Sequence, residues 1–206
     1  MTRSTGSARR AGATSKGEHR RAELLDIAEQ ILVESGYSEL TMRAVAAKAQ
    51  VRLGHLQYYF PNRDNLVHAV LQRTLESSLG RLEPLLSRPV TAQSAEDLVH
   101  VLLAEQDDPR LTRIYTELWA LASRDATIAE AMRTFYRDYQ AHVAAVVHAR
   151  SPALTAEICE ARARVFTILI EGAALFRSGV AAHADPNAEA LLIATAATLL
   201  DAESEH

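Results

Sequence analysis

The segment from Leu40 to Arg63, LTMRAVAAKAQVRLGHLQYYFPNR, concentrates side chains suited to a polyanion. Arg43, Arg52 and Arg63 carry fixed positive charge, and Thr41, His55, Gln57, Tyr58 and Tyr59 add hydrogen-bonding groups close by. Contacts of this kind to phosphate position a protein on a nucleic acid, whereas bidentate Arg or Gln contacts to base edges read its sequence. A second set lies further along. Tyr115, Trp119, Phe135, Tyr136, Tyr139 and Phe166 are large rings able to line a pocket. Glu117 and Glu171, in apolar surroundings, suit a cationic ligand; His142 and Arg164 suit an anionic one. The plainer alternative makes the rings ordinary core and the acids solvated or paired.

Catalytic and metal motifs are missing from the sequence. It has no Gly-x-Ser-x-Gly elbow, no Walker loop, no Gly-x-Gly-x-x-Gly and no His-Glu-x-x-His. The eight His residues are scattered without ligand spacing. No enzyme, cofactor or metal site is therefore expected. Cys159 is the one cysteine, so no intramolecular disulfide forms and no second thiol resolves a redox switch.

The elements that must hold the first set are two short helices and a corner. Thr41 is a good N-cap for a helix to about Ala49. A second runs from about Leu53 to Tyr59, and Pro61 ends it. Val45, Ala46 and Ala49 form one apolar face, against which Val51 and Leu56 pack. Leu56 and Phe60, at i and i+4, turn inward. Arg52, Leu53, His55, Gln57, Tyr58 and Tyr59 are left wholly or partly outward. This is a helix-turn-helix layout, whose second helix enters a DNA major groove.

The motif order from Glu18 to Ser78 resembles the DNA-binding domain of the TetR family of transcriptional regulators. The residues that carry the likeness are Gly36-Tyr37, Val45-Ala46-Ala47-Lys48-Ala49-Gln50-Val51, Gln57-Tyr58-Tyr59-Phe60 and Arg63-Asp64-Asn65-Leu66. Gln50 stands for the usual corner Gly, Gln57 for Tyr and Arg63 for Lys. The resemblance places Leu53, Gly54 and His55 nearest the base edges, Arg43 within reach of guanine, and Thr41 and Arg63 on phosphate. Tyr58 and Tyr59 are read as phosphate donors, with Tyr59 partly core. A left-handed Gln50 costs about 1 kcal/mol; the alternative is a slightly rearranged corner.

Around the motif, Leu24, Ile27, Ala28 and Ile31 mark one face of a first helix from about Glu18 to Ser35, closed by Gly36. Helix 4 starts near Asn62–Arg63, reaches about Leu82 and connects two domains. Five more helices follow, at about 94–105, 110–123, 127–149, 155–180 and 186–202, with breaks at Pro84, Pro89, Asp107-Asp108-Pro109 and Ser151-Pro152. The fold class is all-α, about nine helices: an N-terminal three-helix helix-turn-helix domain (18–78, motif 41–60) and a C-terminal helical ligand-binding and dimerisation domain (79–206). Residues 1–17 read as a disordered basic tail, with Arg3, Arg9, Arg10 and Lys16 either reaching DNA or merely solvated.

Helices 8 and 9 are nearly apolar all round, which calls for burial on two sides. The resemblance implies that they pair with their copies in a homodimer binding a near-palindromic double-stranded operator. It also implies a small-molecule effector. The alternative is the same fold without a ligand, controlled by a protein partner or by expression level.

Charge follows this division. The chain of 206 residues has a formal net charge of −4, yet residues 1–63 carry +4 and residues 64–206 carry −8. No run approaches ~18 apolar residues, so no membrane span is expected. With no apolar leader at the N-terminus either, the reading is cytoplasmic.

Overall fold

The computed structural model describes residues 5–86, 93–179 and 185–201, the side chains of 5–15 excepted. Among these residues it holds nine α-helices and no strand. Clustering of the backbone divides the chain into two compact units, Met1–Arg73 and Thr74–His206.

The first unit contains α1 (Thr5–Ser35), a 3-10 turn (Tyr37–Glu39), α2 (Met42–Lys48), α3 (Leu53–Tyr59) and the start of α4 (Arg63–Leu86). Helix α1 begins well ahead of Glu18, where the sequence reading had a disordered tail. No proline interrupts Thr5–Gly17, and Ala and Arg, both good helix formers, are frequent there. Residues 1–4 and the side chains of 5–15 lie outside the described residues, and with them the question of Arg3, Arg9 and Arg10 reaching DNA.

The core of this unit is assembled from Leu24, Leu25, Ala28, Ile31 and Leu32 of α1, Val45 and Ala46 of α2, Leu56 and Phe60 from the α3 region, and Leu66, Val67, Val70 and Leu71 of α4. Gly36 ends α1 at φ 82°, a left-handed conformation that costs glycine nothing. Arg73 ties α4 back to α1, donating to Asp26 Oδ1 at 2.6 Å and Glu29 Oε2 at 2.7 Å.

The second unit is built from the end of α4 with α5 (Ala95–Glu105), α6 (Pro109–Ala122), α7 (Ala126–Arg150), α8 (Ala156–Arg177) and α9 (Pro186–Leu200). Local sequence sets the starts. Ser94 and Asp97 make a reciprocal capping box on α5. Asp108, Asp125, Thr155 and Asp185 cap α6, α7, α8 and α9.

Helix α7 packs along α8 and α6, while α9 packs on α5 and α8. The shared core includes Leu98, Leu102, Tyr139, Val143, Phe166, Ile170, Ile193 and Leu200. Arg150 joins α7 to the chain after α9, donating from Nε to Asp201 Oδ1 at 2.6 Å. Arg177 donates to the Leu103 carbonyl at 2.8 Å and pairs with Asp107 and Glu189, binding α8 to α5 and α9. No helix of the described residues is long and apolar enough to cross a membrane.

Candidate nucleic-acid interface and ligand cavity

The corner between α2 and α3 is a Schellman turn. The Gln50 N–H donates to the Ala47 carbonyl at 3.1 Å and the Val51 N–H to the Ala46 carbonyl at 2.9 Å. Closing both bonds requires a left-handed residue at position 50, and Gln50 supplies it at φ 54°. The corner therefore keeps its geometry in spite of the Gly-to-Gln departure. Thr41 caps α2, its Oγ1 accepting from the Ala44 N–H at 3.1 Å.

Helix α3 buries Leu56 and exposes Leu53, Gly54, His55, Gln57 and Tyr58; Arg52 just ahead of it and Arg43 on α2 are exposed too. Tyr58 stands out furthest, at 82% exposure. Tyr59 is half-buried and carries two ring contacts, to His55 at 5.5 Å and edge-on to Tyr58 at 5.1 Å. These contacts brace the outer face of a helix too short to be stable alone. A Cβ added at Gly54 would meet nothing within 4 Å, as at Gly17, Gly80 and Gly172, so no packing among the described residues calls for glycine there.

Arg63, expected on phosphate, also makes contacts inside the domain. Its Nε donates to the Leu40 carbonyl at 2.8 Å and its NH2 to the Tyr37 carbonyl at 2.5 Å. The guanidinium also lies 4.0 Å from the Tyr37 ring centroid. It clamps the start of α4 to the turn ahead of α2 through Nε and one terminal nitrogen.

The second unit contains a cavity. It is lined by Ser78, Arg81 and Leu82 of α4, by Leu102, Glu105 and the following Gln106, and by Leu111, Thr112, Tyr115 and Trp119 of α6. Phe135 and Tyr139 of α7 and Ile170, Glu171, Ala174 and Leu175 of α8 complete it. Its volume is about 70 Å³ as room for the centres of water-sized atoms, and about 700 Å³ of atom-free space once the open mouth is included.

Tyr115, Trp119, Phe135, Tyr139 and Glu171, all singled out in the sequence, thus come together from three helices. Glu117, His142 and Phe166 lie elsewhere. Phe166 is fully buried core, because α8 turns that face toward its neighbouring helices. His142 Nδ1 contacts the Asp138 carbonyl of its own helix at 2.7 Å. Arg164 pairs with Glu160 one turn away on α8.

A relay of hydrogen bonds runs into the wall. Trp119 Nε1 donates to the Tyr136 hydroxyl at 3.0 Å, and that hydroxyl donates to Glu171 Oε2 at 3.1 Å. Burial pushes the Glu171 carboxyl up to about 7, against the smaller opposing effect of the Tyr136 hydrogen bond. Burial likewise raises Tyr115, to about 12, and raises Tyr136 and Tyr139. At the rim Arg81 pairs with Glu105 at 3.6 Å and donates to Ser78 Oγ at 3.0 Å. Gln106 Oε1 is buried without a hydrogen-bond partner. Gln106, Ser78 and Arg81 had no mark in the sequence. They follow no aromatic or charge pattern, and their place depends on how α4 and α5 pack.

Among known proteins, residues 24–70 match the family described as bacterial regulatory proteins, tetR family. The chain is 34% identical over 119 residues to an uncharacterized HTH-type transcriptional regulator in the dhlA 5′ region of Xanthobacter autotrophicus, covering 56% of this chain and 59% of that protein. It is 32% identical over 111 residues to the HTH-type transcriptional repressor KstR of Rhodococcus jostii (strain RHA1), covering 53% and 51%. The chain therefore spans between about half and three fifths of the length of these relatives.

Solved structures extend the likeness to the whole fold. GusR of Salmonella enterica aligns with a TM-score of 0.69 at 20% identity, covering 87% of this chain and 92% of that one. A TetR transcription regulator from Haloarcula marismortui aligns at 0.66 and 19%, covering 89% and 95%. A regulator chain from Saccharomonospora viridis in complex with choline aligns at 0.67 and 14%, covering 89% and 94%. At these identities the likeness is one of fold.

Proposed function

We propose that this chain, whose residues 24–70 match the tetR family of bacterial regulatory proteins, is a cytoplasmic, ligand-responsive repressor that binds a near-palindromic operator as a homodimer. The observation that carries the DNA half is the outer face of α3. Leu53, Gly54, His55, Gln57 and Tyr58 all face outward there, beside the exposed Arg43 and Arg52, and the open space over Gly54 leaves room for the close approach of a DNA backbone or base edge. Leu53 and His55 beside it, and Arg43 on α2, are free to reach bases; Thr41, Arg52, Tyr58 and Tyr59 serve phosphate, with Gln57 suited to adenine.

Dimerisation is supported by an exposed apolar stripe on α8. Ile158, Val165, Ile168 and Phe176 are all exposed, Ile168 at 68%, and Leu191 of α9 is 69% exposed. Contiguous apolar surface of this kind marks an interface. Residues 79–206 then serve as the ligand-binding and dimerisation domain, and release by a small molecule is supported by the cavity and by the choline held in a fold relative.

One observation favours a rival. The cavity is small beside ordinary ligand pockets of about 300–1,000 Å³, which suits a regulator of the same fold controlled by a protein partner or by its own level. Footprinting over the DNA upstream of the chain's own gene tests the common part, and a protected near-palindrome is expected. An absence of protection there and at neighbouring promoters would sink the repressor reading.

A further inference from the structure

Glu171 has no cationic partner among the described residues. Oε2 accepts from Tyr136, and Oε1 has no hydrogen bond among the described residues. The nearest candidate at the rim, Arg81, is paired with Glu105. Tyr115, Tyr136 and Tyr139 surround the carboxyl from α6 and α7, and all three are neutral at ordinary pH. The cavity also contains a second unmet acceptor, the buried Gln106 Oε1. Its walls are aromatic, with Tyr115 and Phe135 centroids 6.0 Å apart and Phe135 stacked on Tyr139 at 6.4 Å.

Two acceptors with spare capacity and a ring of π-faces suit a cation that can donate hydrogen bonds. An aromatic face attracts positive charge most strongly where water is excluded. An acidic ligand would meet Glu171 and Glu105, and the one arginine at the rim is already neutralised. A wholly neutral ligand suits Glu171 only as the protonated acid and leaves the ionised carboxylate without a counter-charge.

We infer that this cavity takes a small organic ammonium ion bearing at least one N–H, which pairs with the Glu171 carboxylate, donates to Gln106 Oε1 and lies against Tyr115, Trp119, Phe135 and Tyr139. The volume limits it to a compact molecule. The inference rests on the ligand-responsive reading of the second unit and names the chemistry of its effector. Binding draws Glu171 into its ionised form, so each cation bound below pH 7 displaces a proton.

Trp119 is the chain's one tryptophan and lines the cavity, so its fluorescence reports occupancy directly. The probes are butylammonium, butyltrimethylammonium, butan-1-ol and butyrate. The expected order places butylammonium tightest, about tenfold or more ahead of butan-1-ol, with butyltrimethylammonium weaker for want of an N–H and butyrate without effect. Glu171→Gln keeps an acceptor for Tyr136 and is expected to erase the preference for the cation. A second measurement needs no variant: affinity for butylammonium falls with pH below 7, approaching tenfold per unit.

Butan-1-ol or butyrate binding as tightly as butylammonium overturns the proposal, as does a pH-independent affinity or an unchanged Glu171→Gln. Butyltrimethylammonium matching butylammonium overturns the N–H requirement. Operator binding is measured alongside. If the cation enters the cavity and DNA is retained, the ammonium site stands and the ligand-responsive reading falls. If DNA is bound but no ammonium changes Trp119, the site falls and the DNA-binding reading stands.

Discussion

The Tyr136 hydroxyl donates to Glu171 Oε2 at 3.1 Å while itself accepting from Trp119, and among the described residues this is the one hydrogen bond the carboxylate receives. It does not offset burial, since the carboxyl still titrates near 7 instead of its ordinary 4.5. Between those two values the folded protein holds a proton that the unfolded chain has lost. Stability is therefore full below pH 4.5 and declines as pH rises through 7, by about 3 kcal/mol from this group alone. Glu171→Gln is expected to flatten that decline. Denaturant unfolding at a series of pH values measures it.

Gly54→Ala separates folding from DNA binding. The new methyl group meets no neighbour, so the helix gains roughly 0.5–1 kcal/mol. Operator affinity is expected to fall in the same protein. A melt and a gel-shift titration read the two effects, and a variant more stable with unchanged affinity would remove Gly54 from the DNA face.

Gln50→Gly relieves the left-handed strain of the Schellman corner. The relief is offset in part by the greater freedom of glycine in the unfolded chain, leaving a gain of up to about 1 kcal/mol. The shift in melting temperature checks it.

Arg63→Ala removes the guanidinium donor from the Leu40 carbonyl and leaves the Tyr37 carbonyl with only the Leu40 N–H, at 3.2 Å. A loss of about 1–3 kcal/mol is expected. Lysine does not restore it, because one ammonium cannot reproduce a planar fork over a ring. Arg43→Ala, exposed and without such ties, instead leaves the melt unchanged and relaxes base preference in binding-site selection.

Ile168→Glu places a charge on the exposed stripe of α8 and is expected to give a monomer with weakened operator binding. Sedimentation at micromolar protein distinguishes the species.

The recognition unit was legible because its signals are local. Thr41 announces a cap, Leu56 and Phe60 announce an inward face, and Gly36 announces a stop, each within a few residues of the structure it dictates. Arg63 was not legible, because its partners lie 23 and 26 positions away and are backbone carbonyls that carry no sequence mark. The cavity was half legible. Paired rings at i and i+4, Tyr115 with Trp119 and Phe135 with Tyr139, define a face, but helical period alone does not say whether a face looks into core or cavity. Phe166 went to the core by that ambiguity. Gln106 became part of the wall through the packing of α5, which no periodicity encodes.

The pairing of Arg150 with Asp201 reaches beyond the fold into the lifetime of the protein. The arginine side chain is only 9% exposed, and its carboxylate partner follows the last turn of α9. Removing Asp201 takes away the anion and leaves Arg150 with the Gln93 carbonyl as its remaining acceptor. The carboxylate is 48% exposed, so the cost is about 1 kcal/mol, below that of a fully buried pair broken on one side. A loss of that size is enough to change the abundance of a marginally stable protein in the cell.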